Sequence, residues 1–202
     1  MTTSTDTPQV SNILAVFNGA TAENIRFGLQ WYVIAHNAAL SMGGGRAWHL
    51  ERNAGIIAAL SPMNGWTNNV RKARQVVSMR GNITVVKGQP NGIGLGANVA
   101  KAIAIYKGAD PLDILNGDKV TAFYRTIVNP TGDISPVIDR HAFDIAVGEP
   151  TNDKRRGILS RKGVYEEFAH AYREAAAIAG IGAPQMQAIT WVQWRESLGI
   201  DA

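Results

Sequence analysis

Apolar residues recur at helical spacing along almost the whole chain, the pattern by which an amphipathic helix buries one face. Residues 12–17 predict a short helix. Residues 22–42 predict a long one, with Ile25, Leu29, Tyr32, Val33, His36 and Leu40 on a shared face and Gly43, Gly44 and Gly45 ending it. A third helix is expected over 47–60. Pro62, Asn64 and Gly65 then break the chain, and Thr67 is expected to cap a fourth helix whose buried stripe is Val70, Ala73, Val76 and Val77. Further helices are expected over 97–107, 111–115, 119–127, 140–147, 164–179 and 184–198. The β-branched run 83–86 is too isolated to build a sheet, and no repeat and no alternation of strand with helix is visible. The expectation is an all-α fold of about ten helices, with a disordered tail over residues 1–10 and one domain over 11–202.

Composition narrows the class of function. A chain of 202 residues can bury a substantial core. Its net charge of +4 and pI of about 9.5 fit a polyanionic partner without requiring one. It has no cysteine, which excludes disulfides, thiolate metal sites and a cysteine-held iron–sulfur cluster. The 4 histidines, His36, His49, His141 and His170, lack paired metal-ligand spacing, so neither a metal nor another cofactor is expected. Residues 1–10 lack the basic and apolar blocks of a signal peptide, and no apolar run is long enough to span a bilayer. The expectation is a soluble cytoplasmic protein.

The densest candidate chemistry lies in Pro136-Val137-Ile138-Asp139-Arg140-His141 and the helix it opens. Asp139 is placed to cap that helix, where a carboxylate accepts hydrogen bonds from free backbone N–H groups and meets the positive end of the helix dipole. Ile138, Ala142, Ile145 and Ala146 can face the core, and Arg140 and Asp144 are expected to face out. On spacing alone Asp139 reads as an ordinary cap. Upstream, Asp110 is placed to cap the short helix at Pro111, and Asn116-Gly117-Asp118 forms a tight turn into the helix of Lys119.

These residues resemble the helix-hairpin-helix DNA glycosylase superfamily (endonuclease III and the 8-oxoguanine glycosylases), in which an apolar-Asp-x-His run follows such a hairpin at a set distance. The resemblance spans about 54–148 and places the hairpin at about 110–128. It implies a compact multi-helix glycosylase-like fold that binds DNA, with Asn116 and Gly117 at the backbone-holding hairpin. The hairpin departs from the family pattern Leu-Pro-Gly-apolar-Gly, having a single glycine beside the acidic Asp118, which would repel a phosphate. Lys119 falls where bifunctional members carry the lysine that attacks the sugar C1′ carbon, and Asp139, 20 positions later, falls on the essential aspartate. Arg140 and His141 belong to the same signature, with His141 expected to support the Asp139 turn by hydrogen bonding.

In the resembled fold the loop after the third helix enters the DNA, so Asn64 is expected to bond a base edge and Trp66 to stack, or else to plug the core. Arg71 and Lys72 add cationic character just beyond. The glycines of 92–96 open a helix without the preceding strand that a dinucleotide site needs. Lys154, Arg155 and Arg156 form a basic cluster that either grips phosphate or is simply solvated. Gln187, Trp191 and Arg195, spaced by 4, put an amide, an aromatic and a cation on one helical stripe, whose default reading is core packing.

The whole chain is also similar to small proteins of actinobacterial phages with no defined activity, which implies a phage origin and the host cytoplasm. Three functions remain open. One is cleavage of the N-glycosidic bond of a modified or damaged base. A second is the base-hypermodification transfer associated with a glycosylase-like fold in phages, attaching an amino acid to a modified thymine. The third is noncatalytic DNA binding or host interaction on the same scaffold.

Overall fold

Helix-forming periodicity yields α1 (Val10–Asn18), α2 (Ala22–Ser41), α3 (Leu50–Leu60), α4 (Trp66–Ser78), α5 (Gly96–Tyr106), α6 (Pro111–Ile114), α7 (Asp118–Val128), α8 (Arg140–Val147), α9 (Asp153–Arg156), α10 (Val164–Ala179) and α11 (Ala183–Ser197) in a computed structural model. The structure describes residues 6–43, 46–84, 96–132 and 135–200, and no strand occurs among them. The glycines at 92–95 and the end of the β-branched run lie outside the described residues. No described helix is long and apolar enough to cross a membrane. Contacts divide the chain into a terminal unit, Met1–Tyr32 with Thr131–Ala202, and a central unit, Val33–Pro130, and the division falls inside α2.

The central unit is built around α3. Every residue from Asn53 to Leu60 is buried, because an apolar helix with no polar face needs neighbours on all sides. It packs against α4, α5, α6 and α7. Gly55 permits the α6 contact, since a Cβ there would lie 2.9 Å from the Pro111 ring. Two buried asparagines tie the layers together: Asn53 donates to the Ala39 carbonyl at 2.9 Å and Asn69 to that of Ile57 at 3.1 Å. The cap expected at Thr67 falls instead on Gly65, because the Asn69 N–H closes the first turn of α4 on the Gly65 carbonyl at 2.9 Å.

In the terminal unit α1, α8, α10 and α11 pack on one another around Ile13, Ile138, Phe143, Phe168, Tyr172 and Met186. Phe143 and Phe168 stack at 4.7 Å. Gly28 of α2 lies flush against α11, where a Cβ would fall 2.6 Å from the Ile189 Cα. Of the expected disordered tail, residues 1–5 lie outside the described residues. The rest is anchored, with the Gln9 N–H on the Ala146 carbonyl at 2.9 Å and Asp6 paired with Arg155 at 2.5 Å.

Candidate functional site

Tyr165 of α10 sets the segment that delivers Asp139. Its buried hydroxyl accepts the Ile138 N–H at 3.0 Å and donates to the Pro136 carbonyl at 3.2 Å, which clamps the three residues before the aspartate. Ile138 plugs the core beneath. Asp139 then caps α8 as expected: its Oδ1 accepts from the N–H groups of His141 at 3.0 Å and Ala142 at 2.9 Å. The Trp191 indole N–H donates to Oδ2 at 3.1 Å. The half-buried carboxylate is thus held on both oxygens.

Around it lies the α11 stripe that the spacing of Gln187, Trp191 and Arg195 foreshadowed. The Arg195 guanidinium sits 4.6 Å from the centre of the Trp191 ring, and Trp31 of α2 packs on the same indole at 5.2 Å. Tyr32 donates to Gln187 Oε1 at 2.6 Å, and burial above all, then the charge of Asp139, pushes its phenol well above the ordinary range, so it remains a donor. His141 is buried with its ring edge-on to Trp191 at 6.5 Å. Burial pushes its imidazole below the usual value; Asp139 opposes this, and Arg140 and Arg195 reinforce it. Arg140 Nε donates to His141 Nε2 at 3.3 Å, which leaves the proton of the neutral ring on Nδ1. Nδ1 is buried and has no hydrogen-bond partner among the described residues. The support His141 gives the turn therefore comes from its backbone N–H rather than its ring.

Asp144 corrects an expectation. Instead of facing out it is 1% exposed, because Arg156 bonds it bidentately, Nη2 to Oδ2 at 2.6 Å and Nε to Oδ1 at 3.0 Å, with the Thr151 hydroxyl also on Oδ1. Arg155 pairs with Asp6 and Glu149. The basic cluster of α9 is thus largely committed to internal carboxylates.

The remaining predicted residues lie in the central unit. Asn64 turns back on its own chain: Nδ2 donates to the Leu60 carbonyl at 2.7 Å, and Oδ1 accepts from Lys72 at 2.8 Å and Asn68 at 3.1 Å. Arg71 bonds Asn68 at 2.7 Å. Trp66 is half-buried and packs against the α3 core, the plug rather than an exposed stacking group. The residue presented outward is Met63, 89% exposed at a left-handed φ of 62°. A polar-loop reading passes over it because methionine usually signals core. At the hairpin, the predicted Asp110 cap is present, accepting the Leu112 N–H at 2.8 Å. Gly117 takes φ 89° ahead of α7, Asn116 is exposed and accepts a bond from Lys101, and Lys119 is half-buried in the first turn of α7. Asp139 and Lys119 therefore belong to different units.

No curated protein and no solved structure matches the chain. A family model described as "Family of unknown function (DUF7178)" matches residues 1–198, and the chain belongs to that family.

Proposed function

We propose that this chain binds DNA and cleaves the N-glycosidic bond of a modified or damaged base, with Asp139 as the essential carboxylate. In that reaction the bond from C1′ to the base nitrogen breaks, its electron pair leaves with the base, the water oxygen bonds C1′, and one proton of that water ends on the departing base. Positive charge develops on the sugar meanwhile. The observation that carries the reading is the carboxylate of Asp139, anchored through both oxygens by two backbone N–H groups and an indole N–H. A negative group already oriented in this way stabilises such charge without reorganising. In the central unit, Met63 is an exposed apolar side chain of the kind that enters a base stack.

Incubation with duplexes carrying modified bases tests this: base release that Asp139→Asn abolishes supports it, and release unaffected by that change refutes it. Borohydride trapping on abasic DNA, lost in Lys119→Ala, would assign Lys119 the nucleophilic role that replaces water. A noncatalytic reading, DNA binding or host interaction on the same scaffold, is favoured by the hairpin's departure from the family pattern, with Asp118 exposed in it, and would show as no base release from any duplex.

A further inference from the structure

Between Glu51 and Asp110 the chain runs through 58 residues, 52–109, without one carboxylate, while carrying Arg52, Arg71, Lys72, Arg74, Arg80, Lys87, Lys101 and Lys107. That stretch supplies nearly all of α3 and the whole of α4 and α5, which pack on one another. The central unit as a whole has 11 Lys and Arg against 4 Asp and Glu, a formal +7, and the terminal unit 9 against 12, a formal −3. The overall +4 conceals this separation.

Partner chemistry differs in the same direction. Among the described residues six ion pairs each join two residues of the terminal unit. In the central unit the side-chain partners of the cations are amides and a ring: Asn68 for Arg71, Asn64 for Lys72, Asn116 for Lys101, and Asn53 with the Tyr106 face for Arg52. An amide oxygen restrains a cation without cancelling its charge, so the field remains available to an outside anion. Arg71 and Arg74 are exposed on the solvent face of α4, Lys72 is half-buried beside them, and Arg80 is exposed just past the helix end.

We infer that the α3–α5 layer, which carries no carboxylate from Arg52 onward and is fronted by Arg71, Lys72 and Arg74, is the surface that takes the phosphodiester backbone of a nucleic acid. An anionic bilayer fits less well, because the apolar stripe of α4 (Val70, Ala73, Val76) is buried in its own unit and only the separate side chains of Met63 and Met79 stand exposed beside it, short of the continuous apolar face a bilayer takes. The inference rests on the reading above only in taking DNA as that nucleic acid.

The test measures affinity of the full chain for a duplex of random sequence across salt concentrations. Beside it stand the combined Arg71→Gln, Lys72→Gln, Arg74→Gln variant and, as a control, Arg173→Gln in the terminal unit. Each phosphate contact contributes about 0.9 to the slope of log affinity against log salt. The triple variant is expected to lose roughly 2 to 3 from the slope and to bind at least about tenfold more weakly near 0.1 M salt, with the control unchanged. Should the triple variant unfold, Arg71→Gln with Arg74→Gln, both exposed, is expected to lose about 2. An unchanged slope, or binding to phosphatidylserine vesicles but not DNA, overturns the inference. The wild-type chain separates the two proposals: salt-dependent binding with no base release defeats the catalytic reading and leaves the surface standing.

Discussion

The two units use the same side chains in opposite ways. In the terminal unit arginine closes onto carboxylate, most completely where Arg156 grips the buried Asp144 and where Arg155 bridges Asp6 and Glu149. In the central unit, arginine and lysine lean on asparagine or tyrosine and keep their charge. A cation satisfied by a carboxylate holds the fold together, whereas one satisfied by an amide is positioned at little electrostatic cost and can still meet a partner. Whole-chain net charge registers neither arrangement.

The sharpest way to break this contrast is to remove one cation from each unit. Arg156→Ala strands a buried carboxylate and is expected to cost about 3–5 kcal/mol in urea unfolding. Arg71→Ala, on an exposed face, is expected to stay within about 0.5 kcal/mol; similar losses from the two would erase the distinction. Next in size is Gly28→Ala, which forces a methyl against the α11 backbone and is expected to cost about 1–3 kcal/mol, read as a lower thermal midpoint.

A pH effect should come from the terminal unit. His141 is held neutral by burial, with a folded value below that of the unfolded chain. The unfolded state therefore binds the extra proton as pH falls below about 6.5, and native stability declines from there downward, by at most about 1.4 kcal/mol per pH unit for this group. His141→Gln should flatten the change in unfolding free energy between pH 7 and pH 5, and an equally steep profile would place the acid sensitivity elsewhere. Among the terminal-unit changes the smallest effect is expected from Trp191→Phe, which keeps the ring against Trp31 but deletes the N–H on Asp139, at about 1 kcal/mol by chemical unfolding.

Periodicity made most helices legible, and local capping chemistry made Asp110 and Asp139 legible, because both signals lie within a few residues of sequence. The α11 stripe was visible in the spacing of Gln187, Trp191 and Arg195, but its attachment to Asp139, 52 residues away, was not. The burial of Asp144 is hidden in the sequence for the same reason: nothing beside it announces the Arg156 that permits it, 12 residues on. Trp66 and Met63 exchange the roles that residue type suggests, since the packing of α4 on α3, fixed by Asn69, decides which of them turns inward. The boundary between units lies inside α2, where the apolar pattern runs on unbroken and carries no mark of it.

The most direct test of the division of roles is amide hydrogen exchange of the full chain with and without a duplex containing an abasic-site analogue. Slowed exchange over residues 63–80 of the central unit and around Asp139 and Trp191 of the terminal unit is the predicted result. Protection confined to the α9–α10 region, or no change on saturation with the duplex, would contradict it.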